Sequence, residues 1–401
     1  MKPRFGMVRM LVFPLESYEI TGNRFGNDGF SGAAYDMARS SQVESVTLAD
    51  VDSGRVRKAV KKINQAAGTK KVRGAQLDAS KPRNAAKLMR GHDGVLSAVP
   101  YFFNLGLCQA AIDWGCHFAD LGGNNTAVRK EYELAKKAAK KKLGIAPDCG
   151  LSPGMASILA GELVRRVGGE AEALKIYVGG LPEKPKPPFF YQMVFSIEGL
   201  INEFVEPAKV LREGKIREIE PLTEAEEFHM DGFAPLVAFQ TSGGTSTLPE
   251  TFQGKVGECF EKTLRYPEHF RVIRGLYDFG FFSSKKMKIG KTEISPRALT
   301  SQIFLDKMSG NEPDVTIMRI EAHQKGKVAS FTLEDHFDPR TTMTSMMRTT
   351  AWPASVVLQM MCSGQITKRG GVYQELDVPA EVFLREMEGR GVKIQYKEST
   401  T

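Results

Sequence analysis

The chain has 401 residues, with 55 Lys and Arg against 47 Asp and Glu, and a formal net charge of +8. Apolar residues make up 42% and charged residues 25%, which excludes wholesale disorder, and no uninterrupted apolar run of about 18 residues exists to span a membrane. At about 150 residues per domain the length implies two to three domains, long enough to fold without a disulfide or metal staple.

The basic residues are spread along the chain, and the densest run, Lys136 to Lys142, reads as the solvated face of a helix. No nucleic-acid reader module accompanies it, so no nucleic-acid partner is expected. The mild positive charge favours anionic small molecules such as dinucleotides. Five scattered cysteines (Cys108, Cys116, Cys149, Cys259, Cys362) show neither CxxC nor Cys/His spacing. That set points to a reduced, cytoplasmic protein with no metal centre. The opening MKPRFGMVRMLVF is a broken apolar stretch that ends at Pro14, which argues against a signal peptide.

In chain order, Val8 to Phe13 reads as a strand, Ala33 to Arg39 as a helix, and Val43 to Ala49 as a β-branched strand stopping at Asp50. A helix over Arg55 to Ala67, a strand over Val72 to Leu77 and a helix over Asn84 to Arg90 follow. Gly94 to Val99 is a buried-type strand and Leu105 to Trp114 a helix, and strands at Cys116 to Asp120 and Ile145 to Asp148 flank the Lys-rich helix. Strands separated by helices at this spacing predict βαβ units and a doubly wound parallel sheet over residues 1–150. From Ser152 the texture changes to alternating strands at Leu174 to Val178, Val315 to Glu321 and Lys327 to Leu333. Between them lie two irregular stretches, Gly179 to Pro188 (GGLPEKPKPP) and Thr241 to Phe252. The prolines exclude helix or central strand from the first. Residues 151–335 therefore read as an inserted, mainly antiparallel α+β domain. Residues 336–401 carry a helix over Thr344 to Cys362, broken near Pro353, and a mixed-charge tail.

In open parallel sheets, ligands bind beyond the carboxyl ends of the strands. Asp50, ending the second strand, can accept both hydroxyls of an adenine ribose and would repel a 2′-phosphate, which favours NAD over NADP. Asp78 falls near the adenine, and Val99 and Pro100 near the nicotinamide half. A strand-terminal turn is the structural alternative for each. The expected phosphate loop departs from the usual GxGxxG. Phe13 is followed by Pro14, and the available glycines are Gly26, Gly29 and Gly32, of which Gly29 and Gly32 can open the next helix. In the second half, Arg265 in KTLRYP offers a bidentate fork suited to a carboxylate. Ser242, Gly243 and Gly244 offer polar groups to a ligand. The six histidines have no metal-like spacing, and no GxSxG, HExxH or GxxxxGK[ST] motif supports a hydrolase or ATPase.

Taken together, SAVPYFFNLGLCQAAIDWGCHFADLGGN, PDCGLSPGM, GGLPEKPKPP, FSIEGLINEF, TSGGTSTLPETFQGKV, KTLRYP and TTMTSMMRTT resemble the saccharopine dehydrogenase family, most closely its lysine 6-dehydrogenase-like branch. The resemblance implies a Rossmann domain with an inserted substrate domain, with the segment around Thr341 to Thr350 returning to the Rossmann half. It implies a nicotinamide cofactor, a lysine-like amino acid as substrate and a homodimer. It also places Tyr101, Asp148, Glu198, Thr241, Ser242 and Arg265 toward the substrate. Arg265 would clamp the α-carboxylate, and Asp148 or Glu198 would serve as the acid–base group. The leading expectation is oxidative deamination of a lysine side chain. The alternatives are a saccharopine- or carboxynorspermidine-type reductase and a cofactor-free scaffold.

Overall fold

The computed structural model describes residues 7–13, 31–308, 310 and 312–400. Six strands and six helices alternate through the first part. The strands are β1 (Val8–Phe13), β2 (Val43–Asp50), β3 (Val72–Gln76), β4 (Gly94–Ser97), β5 (His117–Asp120) and β6 (Gly144–Ala146). The helices are α1 (Gly32–Arg39), α2 (Ser53–Ala67), α3 (Pro82–Met89), α4 (Asn104–Trp114), α5 (Asn125–Glu133) and α6 (Ala135–Lys140). Each start carries its local cause where a capping side chain exists. Ser31 accepts from the Ala34 amide at the head of α1, Asp52 from Gly54 and Arg55 at α2, and Asn124 from Thr126 and Ala127 at α5.

The second part runs through α7 (Met155–Arg166), β7 (Ala171–Pro182), α8 (Ile197–Val205), β8 (Ala208–Arg212), β9 (Lys215–Ile219), β10 (Glu226–Phe228) and β11 (Leu236–Gln240). It continues with α9 (Leu248–Phe252), β12 (Val256–Arg265), α10 (Pro267–Asp278), the hairpin β13 (Met287–Ile289) and β14 (Thr292–Ile294), and α11 (Pro296–Met308). The remainder comprises β15 (Asp314–Gln324), β16 (Lys327–His336), α12 (Ser345–Cys362), β17 (Gly370–Gly371), α13 (Gln374–Asp377), α14 (Ala380–Gly389) and β18 (Ile394–Thr400).

The first sheet is seven-stranded in the order β17-β6-β5-β4-β1-β2-β3, and all of its pairings are parallel. Its order reverses between β1 and β4, which opens a crevice at the carboxyl ends of those two strands. The second sheet has nine strands, with β10-β11-β12-β7-β15-β16-β18 along its main path. It is antiparallel except where β12 runs parallel to β7. The fold is thus a Rossmann-type sheet joined to a mixed α+β sheet. Helix α12 packs on α1, β4 and β5, and β17 extends the parallel sheet, whereas β18 pairs with β16 in the second sheet.

Two details differ from the sequence-based expectation. Helix α12 runs unbroken through Pro353. An interior proline costs a helix about 3 kcal/mol, and burial of every residue from Trp352 to Met361 offsets it. The first four residues of GGLPEKPKPP continue β7, a central strand, pairing with β15 as far as Pro182 against Asp314. The partner on the other side, β12, pairs no further than Val178, so no donor is demanded of Pro182 there. The mixed-charge tail contains α14 and the start of β18.

Gly32 opens α1 where the helix crosses α12. A β-carbon there would sit 2.9 Å from Met347 Cγ and 3.2 Å from the Ala351 methyl. Gly32→Ala is therefore expected to overpack this crossing and cost about 1–3 kcal/mol, read as a lower urea midpoint. An unchanged midpoint would show that the crossing has slack.

Candidate active site

At the nucleotide end, Asp50 closes β2 and is only 4% exposed. Its Oδ1 accepts the Asp52 amide at 2.8 Å, and its Oδ2 lies 4.0 Å from the Arg55 guanidinium in the first turn of α2. Beyond β3, Asp78 is exposed, accepts the Ser80 amide and hydroxyl, and pairs with Lys81 at 3.0 Å. It borders a cavity of about 650 Å³ lined also by Val51, Gln76, Leu77 and Lys87. Val99 is buried against the core that holds Phe13, and Pro100 heads the 3-10 turn Tyr101–Phe103. Gly32 is at the head of α1, and Gly29, like Gly26, lies outside the described residues.

The loops after β5 and β6 form an acidic cluster. Asp148 follows β6 with a φ of +61°, a left-handed conformation that does not continue the strand. Asp120 holds it there, because its Oδ1 accepts the amides of both Asp148 and Gly122 at 3.2 and 2.6 Å. Gly122 must be glycine, since a β-carbon would stand 1.6 Å from Asp148 Oδ1. The Ser246 hydroxyl donates to Asp148 Oδ2 at 2.5 Å from the other domain. Burial, with Asp120 and Glu375 adding repulsion, pushes the Asp148 carboxyl up to about 7 despite the Ser246 bond. Glu131, also buried, faces Asp120 and keeps its proton far above the carboxylate range. Tyr101 lies against Gly123 on the same crevice.

A second polar cluster lies in the inserted domain. Alternation along β12 puts Glu261, Thr263 and Arg265 on one face and Phe260, Lys262 and Leu264 on the other. Thr241, just beyond β11, bonds Thr263 at 2.7 Å and Glu261 at 3.3 Å. Arg265 is 3% exposed and donates to the Leu264 carbonyl, and its guanidinium stacks 4.8 Å from the Tyr191 ring. Its Nη2 stands 3.7 Å from Glu203 Oε2 on α8. Burial raises Glu203 to about 7, with Arg265 pulling the other way, and raises Glu261 to about 8. His269, buried beside Arg265, is driven down to about 3 and stays neutral, its Nδ1 donating to the Phe189 carbonyl at 2.8 Å. Tyr191 Oη, Glu203 Oε2, Ser242 Oγ and Arg265 Nε are buried and have no hydrogen-bond partner. Orphaned groups of this kind cost about 1–3 kcal/mol each.

The loop 241–247 joins the two clusters: Thr241 touches Glu261, Ser246 touches Asp148, and the Ser152 hydroxyl donates to the Gly244 carbonyl. Of the residues singled out in the sequence, the structure brings Tyr101 and Asp148 to the crevice and Thr241, Ser242 and Arg265 to the inserted-domain cluster. Glu198 is not among them, since its half-exposed carboxylate pairs with Arg297 at 2.6 Å on the outer face of α8. The acid of α8 that reaches Arg265 is Glu203. Neither it nor Glu261 was singled out, although the alternation E-K-T-L-R carries the signal for Glu261. Among the described residues, no group of three or more His, Cys, Asp or Glu is arranged to hold a metal ion, and no helix is long and apolar enough to cross a membrane.

A parallel sheet with its switch point, a strand-terminal acid and a buried Arg–carboxylate cluster define the class of a dinucleotide-binding fold with an inserted substrate domain. The sequence model of the saccharopine dehydrogenase NADP binding domain matches residues 30–146, and that of the saccharopine dehydrogenase C-terminal domain matches residues 150–392. The chain belongs to the saccharopine dehydrogenase family. A saccharopine dehydrogenase (NADP(+), L-glutamate-forming) of Schizosaccharomyces pombe is 26% identical over 330 residues, 78% of this chain and 67% of that protein. The Pyricularia oryzae protein of the same description is 26% identical over 233 residues, 56% of this chain and 51% of its own. The chain thus spans about half to two-thirds of the length of these relatives. Among solved structures, the apo saccharopine dehydrogenase (L-Glu forming) of Saccharomyces cerevisiae superposes with a TM-score of 0.75 at 17% identity, covering 98% of this chain and 100% of that one. A homospermidine synthase of Legionella pneumophila in complex with NAD gives 0.65 at 12% identity, covering 98% and 91%. These two likenesses establish the fold.

The raised carboxyls set a pH dependence of stability. A buried acid whose folded pKa exceeds its unfolded value stabilises the protein while protonated, and that contribution is lost as pH rises through the folded pKa. For Asp148 and Glu261 the loss runs from the ordinary carboxylate range up to about 7 and about 8. The Tm is expected to fall across that interval. Asp148→Asn and Glu261→Gln should each flatten the fall, and slopes identical to wild type would contradict the burial argument.

Proposed function

We propose that the protein is a nicotinamide-dependent oxidoreductase of the saccharopine dehydrogenase type, making or breaking a secondary amine that links an amino-acid side-chain nitrogen to a second carbon skeleton. The observation that carries this reading is the pairing of a near-neutral buried acid at the strand ends with a buried guanidinium, joined by one loop. The names of the relatives favour this chemistry over the deamination of free lysine expected from the sequence.

The residues present fit a dinucleotide at the crevice: Asp50 and Arg55 at the end of β2, the cavity beside Asp78, and the backbone of Val99 and Pro100 nearer β4. When bound, the nicotinamide accepts or supplies hydride at the carbon next to nitrogen. Asp148, poised near neutral pH, moves the proton that nitrogen or water must lose or gain. Arg265 holds a substrate carboxylate through its fork. The Ser246 and Gly122 contacts keep Asp148 oriented, and the 241–247 loop reaches it from the inserted domain.

Saccharopine oxidation followed by NAD(P)H absorbance tests the reading. Its kcat/KM is expected to exceed that of L-lysine at least about tenfold, a factor equivalent to 1.4 kcal/mol. A reversed preference would return the chain to the lysine-deaminating reading. Arg265→Lys keeps the charge and loses the fork, so KM should rise about tenfold with kcat little changed. An unchanged KM would remove Arg265 from the substrate site.

For the cofactor, the relatives' names specify NADP(+), and Arg55 supplies a cation where a 2′-phosphate would dock. The Asp50 carboxylate beside it opposes that phosphate. Asp50→Ser is expected to raise the affinity for NADP⁺ relative to NAD⁺ by about tenfold or more. Equal ratios in the two proteins, measured calorimetrically, would show that Asp50 does not read the ribose.

A further inference from the structure

Helix α13 is only four residues long, yet its first two, Gln374 and Glu375, are both buried. Gln374 Nε2 donates to the Pro147 carbonyl at 2.5 Å and to Cys149 Sγ at 3.2 Å, the two residues that flank Asp148. Glu375 Oε1 accepts the hydroxyls of Thr247 at 2.9 Å and Thr251 at 2.5 Å, and Thr247 adjoins Ser246. Two consecutive side chains therefore hold the two segments that meet in the Ser246–Asp148 hydrogen bond. Both partners of that bond need holding, because Ser246 has a φ of +45° and Asp148 one of +61°, a region that residues other than glycine seldom occupy. The helix itself is fixed in place. The Val372 amide donates to the Ile145 carbonyl, Tyr373 stacks on Tyr132 with ring centroids 4.7 Å apart, and a β-carbon at Gly161 of α7 would stand 2.1 Å from the Glu375 carbonyl oxygen. Gln374 Oε1 and Glu375 Oε2 have no hydrogen-bond partner among the described residues. Burying an unpaired polar atom is destabilising, and a methionine would fill either place without it. What the amide and the carboxylate add is a grip on two loops.

We propose that Gln374 and Glu375 are positioning residues for the proton-transfer group, Gln374 setting the backbone on either side of Asp148 and Glu375 the segment that carries Ser246. This assignment rests on the oxidoreductase reading for the use made of Asp148, but the hydrogen bond it concerns belongs to the free protein. The titratable groups that face Asp148 are Asp120 from β5, Glu131 and Tyr132 from α5, Glu375 from α13 and its neighbour Cys149. The Ser246 bond draws the Asp148 carboxyl down against its burial, so loss of that bond raises its proton affinity. Glu375→Gln and Glu375→Met remove the same negative charge, and with it the same repulsion. Only the glutamine oxygen can still accept the two threonines.

The test is a carbon-13 NMR titration of the full chain without cofactor, labelled at the aspartate carboxyls, with the Asp148 signal identified as the one lost in Asp148→Asn. Ser246→Ala is expected to raise the proton affinity of Asp148 about threefold or more. Added to Glu375→Gln, Ser246→Ala should raise it by the same factor, because the grip persists. Added to Glu375→Met, it should change the affinity by less than about 1.5-fold, since a bond already lost cannot be lost again. Gln374→Met carries the same test on the other grip and stands in if Glu375→Met does not fold. An undiminished effect of Ser246→Ala in a folded Met variant overturns the role of the residue replaced. No effect of Ser246→Ala in the otherwise unchanged chain overturns the whole assignment. Turnover separates the two failures, because the pH at which kcat for saccharopine oxidation reaches half its maximum should follow the NMR midpoint in every variant. Coupling in the titration that kcat ignores upholds the positioning and sinks the use of Asp148 in the reaction, whereas turnover without coupling sinks the positioning alone.

Discussion

The hydrogen bond from Ser246 to Asp148 crosses the seam between the two sheets, and much of the architecture serves the carboxylate it reaches. A buried acid needs donors or a proton. Asp148 has one hydroxyl from the inserted domain and a backbone position set by Asp120, and among the described residues no cation pairs with it. Its proton affinity therefore rises into the range where proton transfer at neutral pH is efficient. The inserted domain is tied to the Rossmann half and its C-terminal return by further polar links, from Asn124 to Glu206 and from Thr247 and Thr251 to Glu375.

Desolvation acts differently in the two clusters. In the crevice, the carboxyls of Asp120 and Glu131 face each other with no cation between them among the described residues, so Glu131 retains the proton and the pair carries less than its full charge. That proton limits the repulsion felt by Asp148. In the inserted domain a guanidinium is present but held off, stacked on Tyr191 rather than paired. The first arrangement suits proton transfer, and the second suits a charged ligand that completes an unfinished set of partners.

The parallel half of the fold was legible because its strands are short, buried on both faces and separated by capped helices, so composition and spacing carry the information locally. Asp50 at the end of β2 could be read the same way, whereas the C-terminal return of α12 came only from the family resemblance. The proline-based exclusions failed at β7 and α12, where local propensity met a fully packed environment. Pro353 sits in a helix buried along most of its length, and Pro182 occupies a strand end with no partner on one side. Glu198 was chosen because it falls in FSIEGLINEF, yet the pitch of α8 turns it outward to Arg297 and carries Glu203 toward Arg265.

By itself the sequence determined the class of each half and the polarity of the strand ends, because those depend on period, turns and residue chemistry. Only the tertiary structure decided which acids work together. Asp120, Glu131, Asp148 and Ser246 come from separate loops and helices, and Glu203, Glu261 and Arg265 from a helix and a strand more than fifty residues apart. Their proton affinities arise from exclusion of water at a seam between two sheets, a property of no single segment.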